Sequence, residues 1–363
     1  MAATTGDTAA RDRFVERLFG ASIAALDLCH IYLGHRLGLY RTLAEGGPMT
    51  YPEVAAASGT SERYAREWLE HEAVADVLDV VEDSDDPGER RFWLAPAHAE
   101  VLLDADSLSY MPVALGVVGV ARALPLVLDA FREGGGVAYE AYGEDVRDFI
   151  SQINRPMFLN LLAQEWFPAV PGLVQRLQAD PPATVVDVGC GTGWSTVAIA
   201  RGFPNATVVG LDLDESSVAA ARANAEQSGV ADRVTFEVRD AADPALTHRF
   251  DVVCAFETIH DMVDPVGALR AMRALAAEDA TVLVADERVA DTFTTEVDDG
   301  ERFQWGWSAV HCLPCALADP PAAGTGTIMR TPTFRRYAHD AGFADVTVLP
   351  IDNDFWRFYQ LHP

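Results

Sequence analysis

The chain has 363 residues, of which 49% are hydrophobic, and this is enough for two domains with a large buried core. Its formal net charge of −28 argues against nucleic acid or an anionic membrane as a partner, because binding to phosphate relies on Lys and Arg. All 27 basic residues are Arg, which excludes lysine chemistry such as a Schiff base or a P-loop. The Arg-only, Ala-rich usage favours a bacterial source.

The first segments also bear on location. Residues 1–12 are polar and lead into a charged helix, so no secretory signal is expected. The five cysteines are odd in number and scattered, which predicts a reducing, cytoplasmic environment. The most apolar window, residues 108–128, is long enough to span a bilayer but contains Pro112, Arg122 and Pro125. We expect a buried pair of helices there.

Residues 1–104 are expected to form a winged-helix-like unit. The signals are a helical apolar pattern over residues 14–39, a helix-turn-helix over 52–58, Gly59 and 61–73, and a hairpin of 77–81 and 91–94. Ser61 is the expected N-cap of the second helix in that motif. The hairpin connection, residues 82–89, is acidic and would be repelled by phosphate. We therefore expect this unit to dimerise and to cap a pocket rather than to bind DNA.

Residues 105–180 are expected to be a helical linker that lines the pocket and contains the domain boundary. Gly134-Gly135-Gly136 marks a flexible turn within it, and Pro181-Pro182 marks the entry to a sheet. Trp166 and Phe167, near the end of the linker, are expected to form one wall of an acceptor pocket. Plain core packing would explain these two aromatic residues equally well.

The most informative stretch is residues 184–193. A run of valines ends in Gly189, Gly191 and Gly193, and a helical pattern follows from Trp194. A strand, a glycine turn and a helix bring bare backbone close to a nucleotide-like ligand. The third glycine comes one position too early for a dinucleotide fingerprint, and Trp194 would hinder a pyrophosphate. Asp187, before the loop, would repel phosphate but would suit an ammonium or sulfonium group.

Acidic residues follow each later strand of this region. The predicted strands are residues 207–211, 234–238, 250–256 and 281–285, and the predicted helices between them are residues 215–227 and 265–277. The acids that follow the strands are Asp212, Asp240, Glu257, and Asp286 with Glu287. Ligands of open α/β sheets bind at the carboxyl ends of the strands. The pocket is therefore predicted to be acidic, which suits a cationic cofactor.

Asp187-x-Gly189-x-Gly191-x-Gly193, Asp212 and Asp240-Ala241 resemble the binding motifs of class I S-adenosylmethionine methyltransferases, across residues 155–363. The resemblance implies an α/β fold with a Rossmann-like, doubly wound, seven-stranded sheet in residues 181–363, behind a mainly helical winged-helix domain. It implies S-adenosylmethionine as the cofactor. The glycine loop would lie under the methionine part, Asp212 would hold the ribose, and Asp240 would bond the adenine amine. Leu213, Ala241 and Phe256, the last near the methyl group, complete the implied site.

Two simpler interpretations of these motifs stay open. The glycine loop could be a packing turn, and Asp212 could cap the helix predicted over residues 215–227.

The string Ile259-His260-Asp261-Met262 resembles the His-Asp-Trp motif of small-molecule O-methyltransferases, whose histidine deprotonates the substrate hydroxyl. Met262 replaces the expected Trp. His260 is therefore the predicted general base, with Glu257 or Glu287 orienting its imidazole. The alternative is that His260 merely caps the following loop. The order of a winged helix followed by a class I domain also resembles that group of enzymes.

An insertion, residues 288–330, follows the last predicted parallel strand and is expected to be a lid. Phe303, Trp307 and His311 within it are expected to line a site for an apolar or aromatic acceptor. Cys312-Leu313-Pro314-Cys315 is interpreted as apolar lining, because a zinc site would need two further ligands and only His311 offers itself. Residues 343–349 and 354–361 predict a closing antiparallel pair.

The sequence thus predicts a cytoplasmic, homodimeric methyltransferase that acts on a small molecule without a metal. Oxygen is the favoured methyl-accepting atom. Three other functions fit part of the pattern. They are a relative that binds the cofactor but performs other chemistry, a winged-helix regulator that senses a ligand, and a nicotinamide oxidoreductase.

Overall fold

The computed structural model of the chain describes residues 5–241, 243, 245–246, 248–319 and 321–363. Residues 1–4 of the predicted polar start, and Pro320 of the predicted lid, lie outside the described residues. The chain divides into two compact units, Met1–Val118 and Gly119–Pro363.

The first unit is mainly helical and contains a small hairpin. Its elements are α1 (Thr5–Arg36), α2 (Leu39–Gly46), α3 (Tyr51–Ser58), α4 (Glu62–Val74), β1 (Asp79–Glu82), β2 (Arg91–Trp93), α5 (Pro96–Leu103) and the start of α6 (Val113–Glu133). Gly59 ends α3 with a φ of 69°, so the chain turns sharply into α4. Tyr40, Leu43, Leu69 and Phe92 are fully buried and form the centre of the core. The winged-helix prediction is confirmed.

Two details of this region differ from the sequence predictions. Ser61 stands at the N-cap of α4, but its side chain makes no capping hydrogen bond. The apolar window at residues 108–128 contributes to one helix, α6, rather than to a pair, and Pro125 lies inside that helix. By length and composition α6 could cross a membrane, although core helices meet the same criteria, and 33% of its most apolar window is buried.

The second unit contains the large sheet. After α6 its helices are α7 (Gly143–Met157), α8 (Leu173–Leu177), α9 (Trp194–Gly202), α10 (Glu215–Gln227), α11 (Pro265–Leu275), α12 (Asp299–Trp307), α13 (Leu313–Ala316) and α14 (Thr331–Asp340). Its strands are β3 (Thr184–Val188), β4 (Thr207–Asp212), β5 (Val234–Val238), β6 (Phe250–Phe256), β7 (Ala276–Glu287), β8 (Asp345–Val348) and β9 (Trp356–His362). Short 3-10 turns cover Tyr139–Tyr142, Phe167–Ala169 and Ile259–Asp261, and π-helical segments cover Phe158–Trp166 and Ser308–Cys312.

The seven strands lie in the order β5-β4-β3-β6-β7-β9-β8. The first five are parallel, and β9 pairs antiparallel with both β7 and β8. Successive residues of β3 face opposite sides of the sheet, so Val185 joins the core under α9 and α10 while Val186 joins the core under α11 and α14. The predicted doubly wound seven-stranded sheet is confirmed, and so is the closing antiparallel pair.

The segment at residues 288–330 contains a helical stretch over residues 299–316 and is not irregular throughout. Asp298 caps α12 by accepting a hydrogen bond from the backbone N–H of Glu301 at 2.8 Å, and α12 continues through a π-helical segment into α13. The continuous helix places Trp307, His311 and Cys315 at intervals of four residues, which brings them to one face.

Substitution of Gly193 tests how tightly the glycine loop is packed. Its φ is 80°, and an added Cβ would lie 2.7 Å from Cζ of Phe236 and 2.9 Å from Cβ of Ala221. We expect Gly193→Ala to lower the free energy of unfolding by about 2–5 kcal/mol, because overpacking adds to the cost of the left-handed backbone. Urea unfolding followed by circular dichroism measures the loss.

Gly229→Ala is the matched control. Gly229 has a φ of 69° but open space around the added Cβ, so only the backbone cost of about 1–2 kcal/mol is expected. Equal losses for the two variants would contradict the packing argument.

Candidate functional site

A cavity of about 480 Å³ opens at the carboxyl ends of the parallel strands of the second unit. This is the edge at which open α/β sheets bind their ligands. Its walls come from the loop after β3, the end of β6 and the helices α7, α9 and α10. The lining residues are Tyr139, Arg147, Ile150, Ser151, Asn154, Phe158, Gly189, Cys190, Gly191, Thr192, Trp194, Ser195, Ser217, Phe256 and Glu257.

The loop after β3 presents backbone to the cavity at Gly189 and Gly191, both of which have a positive φ. Gly189 has a φ of 70°, and an added Cβ would lie 2.4 Å from Oγ1 of Thr258. Gly191 has a φ of 51°, and its N–H donates to Oδ2 of Asp212 at 2.8 Å. Gly193 adopts the left-handed conformation at the N-cap of α9 and packs on Phe236. Gly189 and Gly191 line the cavity, while Gly193 shapes the turn into the helix.

Asp187 lies beneath the loop rather than in the cavity, which corrects the expectation that it faces a cationic ligand. Its side chain is only 1% exposed, and Oδ2 accepts hydrogen bonds from Ser195 Oγ at 2.5 Å and Thr196 Oγ1 at 2.7 Å. Burial raises the pKa of Asp187 to about 6, although those two hydroxyls oppose the shift. The carboxyl group therefore fastens the first turn of α9 to β3.

Asp212 ends β4 with both carboxylate oxygens turned towards backbone N–H groups. Oδ2 accepts from Gly191 and Oδ1 from Asp214 at 2.9 Å, while burial raises the pKa of the carboxyl group. The next side chain, Leu213, is 71% exposed and forms an apolar surface beside it. Asp214, not Asp212, caps α10 by accepting from the N–H of Ser217. The interpretation of Asp212 as the helix cap is therefore wrong.

The third acidic position is more open. Asp240 lies two residues after the end of β5 and is exposed, and Ala241 is half-buried beside it. Both residues lie at the carboxyl edge of the sheet, on the side of β4 and Asp212.

One wall of the cavity comes from the polar face of α7 and the turn before it, which the sequence motifs do not identify residue by residue. Arg147 donates to Oδ2 of Asp214 at 3.1 Å, and Ser151 bonds Oγ1 of Thr192 at 2.7 Å. These contacts fasten α7 to the N-terminus of α10 and to the glycine loop. The signal available in the sequence was the strong amphipathic period of residues 143–157.

His260 and Asp286 form a buried pair at the ends of adjacent strands. His260 lies in the 3-10 turn after β6, and its Nδ1 lies 2.5 Å from Oδ1 of Asp286 near the end of β7. The backbone N–H of His260 also donates to Oδ2 of Asp286 at 3.2 Å. A single carboxylate thus fixes both the ring and the backbone of His260. His260 is 2% exposed and Asp286 is 1% exposed.

Asp286 replaces Glu257 and Glu287 as the orienting partner, which corrects the sequence prediction. Oε2 of Glu287 lies 3.0 Å from the same Nδ1 but forms no hydrogen bond with any described residue. The single N–H on Nδ1 makes one good hydrogen bond, and Asp286 receives it because its oxygen is closer than that of Glu287. The sequence places both acids at the end of the strand but does not reveal which of them points at the ring.

Charge and burial oppose each other at His260. Burial disfavours the imidazolium, but the carboxyl groups of Glu287 and Asp286 outweigh it and raise the pKa of His260. Burial likewise raises the pKa of Glu287, while His260 holds the pKa of Asp286 below its usual range despite burial. His260 and Asp286 therefore form a buried, hydrogen-bonded imidazole–carboxylate pair beside Glu287.

His260, Asp286 and Glu287 also offer ligand atoms within 4.8 Å of one another, so the trio could hold a metal ion. The 2.5 Å contact favours a different use, because Asp286 lies on the nitrogen that a metal would need.

Glu257 lines the cavity in a strained conformation. Its φ of 52° is unusual for a residue with a Cβ, and its side chain accepts a hydrogen bond from Nδ2 of Asn154 on α7. Burial raises the pKa of Glu257 to about 7, although nearby His260 opposes the shift. Strained, titratable residues concentrate at functional sites.

Aromatic side chains lie close together around α12 and the π-helical segment that follows it. Trp307 stacks on Phe149 with ring centroids 4.8 Å apart, and Phe303 meets the edge of Trp307 at 5.9 Å. His311 packs edge-on against Tyr142 at 4.5 Å and is 1% exposed. Burial, reinforced by His260, lowers the pKa of His311 to about 3, so this imidazole is neutral. We call Tyr139, Tyr142, Phe149, Phe303, Trp307 and His311 the aromatic cluster.

Cys312 links this helix to the buried pair. The Cys312 thiol is 8% exposed, and burial raises its pKa while the adjacent His260 opposes the shift. Nδ1 of His311 lies 3.4 Å from Sγ of Cys312.

Trp166 and Phe167 belong to the core instead of to a pocket wall. Trp166 is 1% exposed and packs against Trp356 and Phe358, and Phe167 is fully buried against Phe203. The prediction that these two residues line the acceptor site is therefore wrong. Phe158, at the start of the π-helical segment that ends at Trp166, lines the cavity. It contacts Phe256 at a centroid distance of 5.6 Å.

Comparison with known families agrees with this geometry. The family described as a methyltransferase domain matches residues 179–320, and the Rv2258c-like winged HTH domain matches residues 24–103. These matches identify a methyltransferase domain and, before it, a winged-helix domain, each over part of the chain. S-adenosylmethionine is the cofactor of this family, which confirms the cofactor prediction.

Individual relatives are more distant. The methyltransferase GfsG of Streptomyces halstedii is 29% identical over 175 residues, an alignment that covers 43% of this chain and 63% of that protein. The chain thus spans less than two thirds of that relative.

Two solved structures share the fold of the whole chain. Mitomycin 7-O-methyltransferase MmcR is 21% identical with a TM-score of 0.69 and 99% of each chain covered. Human N-acetylserotonin methyltransferase, solved in complex with S-adenosylmethionine, is 17% identical with a TM-score of 0.66 and 99% of each chain covered.

The residues of the methyltransferase domain fit this cofactor. Gly189 and Gly191 line the cavity with bare backbone, which leaves room for a ligand beside them. Asp212 is a half-buried carboxylate beside that loop, suited to a pair of hydroxyls, and Phe256 gives an apolar wall. These residues would hold the amino acid and ribose portions of the cofactor.

We expect Asp212→Ala to weaken S-adenosylhomocysteine binding by about 30- to 150-fold in calorimetry. Unpaired ribose hydroxyls cost about 2–3 kcal/mol, which corresponds to that factor. Asp212→Asn retains one acceptor oxygen and should lose less. Asp232→Ala is the control, because its side chain is 76% exposed in the turn before β5. Wild-type affinity in Asp212→Ala would remove this residue from the site.

Proposed function

We propose that the chain transfers a methyl group from S-adenosylmethionine to the hydroxyl of a small apolar or aromatic molecule, with His260 as the general base. The observation that carries the proposal is the 2.5 Å contact between Nδ1 of His260 and Oδ1 of Asp286. This contact leaves Nε2 as the nitrogen that can accept a proton.

The cofactor supplies an electrophilic methyl group on a good leaving group, so the acceptor mainly needs orientation and loss of its proton. Asp286 holds the imidazole in the tautomer with the proton on Nδ1 and stabilises the imidazolium that forms. Phe256 and Glu257, at the end of β6, come shortly before His260 in the sequence. Both line the same cavity as the glycine loop. Cys312 lies beside His260, and we place the acceptor hydroxyl on this side of the imidazole.

The aromatic cluster suits the rest of the acceptor. Phe303 is 40% exposed and Trp307 is stacked on Phe149, so the helix before Cys312 carries flat apolar surfaces. A neutral His311 adds a hydrogen-bonding group without a charge. Offset and edge-on contacts with these rings favour a planar acceptor over a flexible one.

His260→Ala should leave cofactor affinity nearly unchanged and lower kcat by about 10²–10⁴-fold, the usual contribution of a general base. Steady-state kinetics with a phenol series measures this loss. The loss should shrink for nitrophenols, which bring an oxygen that is already deprotonated. An equal loss for acidic and weakly acidic phenols would assign His260 to positioning, and an unchanged rate would exclude it.

The pH profile of kcat tests the pair directly. Neutral His260 is the active form, so kcat should rise with pH through an apparent pKa above the ordinary 6.5. Asp286→Asn removes a carboxylate that favours the imidazolium, and this should move the rising limb to lower pH while lowering the plateau.

Glu257 is the other group that titrates in this range, with a pKa raised to about 7. Glu257→Gln is therefore the control. Loss of the rising limb in that variant, with the limb intact in Asp286→Asn, would transfer the role of base to Glu257.

We further propose a homodimer formed through α1. Side chains at residues 9–26 are exposed, and the helix carries an apolar stripe there. The stripe contains Phe14, Val15, Leu18, Phe19, Ile23 and Leu26, each at least 47% exposed. Apolar surface of this extent on one helix is typical of an interface. A second copy of the chain fits best, because the same stripe on both subunits is self-complementary.

Sedimentation should give about twice the chain mass of 39.3 kDa. Phe19→Asp should weaken the dimer by about 30-fold or more, because burying a charge in place of a phenyl ring costs 2 kcal/mol or more. Val74→Asp, at a side chain 89% exposed near the end of α4, should leave the mass unchanged. A monomeric wild type would overturn the dimer, and a dimeric Phe19→Asp would move the interface elsewhere.

A further inference from the structure

Two histidines and a carboxylate come together between α1 and α4 of the winged-helix unit. The rings of His30 and His71 stack with centroids 3.6 Å apart and planes at 20°. His30, His71 and the buried Glu72 each offer one ligand atom, and these atoms lie within 4.8 Å of one another. The cluster lies on different elements from the predicted cofactor site and has no part in the proposed chemistry.

The inward-facing atoms of this cluster lack partners. Nδ1 of His30, Nδ1 of His71 and Oε1 of Glu72 are buried, and none has a hydrogen-bond partner among the residues that the structure describes. Nδ1 of His71 and Oε1 of Glu72 are 3.6 Å apart, too far for a hydrogen bond. Buried polar atoms are normally paired, so three such atoms in one cluster require an explanation.

Other polar atoms of the same three residues, in contrast, have neighbours that position them. Oδ1 of Asp27 lies 3.5 Å from Nε2 of His71, one turn before His30 on α1. The hydroxyl of Tyr40 donates to Oε2 of Glu72 at 2.5 Å, and Nε1 of Trp68 donates to the carbonyl oxygen of His30 at 3.0 Å. A carboxylate behind an imidazole is the arrangement that orients histidine ligands of metal ions.

We propose that His30, His71 and Glu72 bind a divalent transition-metal ion, with Zn²⁺ as the best chemical match. Two imidazole nitrogens and one carboxylate oxygen are a frequent zinc ligand set, and a water molecule would complete a tetrahedron. Ligand atoms around zinc lie about 3.4 Å apart, so small side-chain rotations would close the cluster. The ion would join α1 to α4 and so fasten the helix that carries the apolar stripe.

Zinc binding is measured on the full chain after treatment with a chelator, by equilibrium dialysis and calorimetry with ZnCl2. We expect one bound ion that is lost in His30→Gln and in His71→Gln. Asp27→Asn should weaken the affinity by about 10- to 100-fold while keeping the stoichiometry, because it alters only the residue behind His71. Zn²⁺ should also raise the melting temperature of the wild type but not of His71→Gln.

Two controls separate this site from other histidines. His98→Gln changes an exposed histidine of the same unit, whose Nδ1 contacts the carbonyl oxygen of Val77, and should bind like the wild type. His260→Gln removes the other cluster with ligand-like spacing and should also retain the ion.

Loss of the ion in His260→Gln, with retention in His71→Gln, would overturn the proposal, and so would the absence of zinc binding by the wild type. If His71→Gln fails to fold, the affinity of Asp27→Asn decides, because unchanged affinity there contradicts the site. Co²⁺ in place of Zn²⁺ gives an independent reading, since its visible absorption should disappear in His30→Gln but remain in His98→Gln.

Discussion

The hydrogen bond between His260 and Asp286 is the interaction on which the proposed chemistry depends. Parallel strands deliver their terminal acids to one edge of the sheet, and there Glu257, Asp261, Asp286 and Glu287 are all buried or half-buried. Such a group cannot be fully ionised without a cation. One imidazole stabilises one carboxylate, Asp286, while burial raises the pKa values of the other three acids. Proton positions near His260 are therefore coupled, and a ligand that brings a cation or takes a proton will change all of them.

The glycine loop imposes a second constraint, which is steric. Gly189, Gly193 and Gly210 each face a neighbour that a Cβ would strike at less than 3 Å, so the loop, α9 and β4 can adopt only one arrangement. Asp187 completes this arrangement from below by holding Ser195 and Thr196. The acid that precedes the loop thus fastens α9 to β3, whereas Asp212 accepts hydrogen bonds from the backbone of the loop and of Asp214. The two acids share a sequence context but differ in burial.

The sequence predicts the fold of the second unit well because its signals are local. Valine runs, glycines and acids repeat at each strand, and β5 and β6 begin and end as predicted. The side-chain partners are harder to predict, since they depend on strands far apart in the chain. Asp286 and Glu287 are adjacent in β7, and only the fold shows that Asp286 meets Nδ1 of His260. Trp166 and Phe167 fail as pocket residues for the same reason, because an aromatic pair in a helix gives no indication of which face is buried. The His30–His71 cluster escapes a motif search because its members lie on two helices with unremarkable spacing.

Two π-helical segments border the site from opposite parts of the chain. An extra residue in a helical turn widens it and turns the following side chains, which is why π-bulges are frequent at functional sites. The first segment begins at Phe158, which lines the cavity and meets Phe256, and ends at Trp166, which is in the core. The second segment holds His311 and Cys312, between the aromatic cluster and His260. Each residue gained or lost in a helix turns the following side chains by about 100°. A regular α-helix through either stretch would therefore turn Phe158 away from Phe256 or Cys312 away from His260. The positions of Phe158 and Cys312 thus depend on helix irregularities as well as on the sheet.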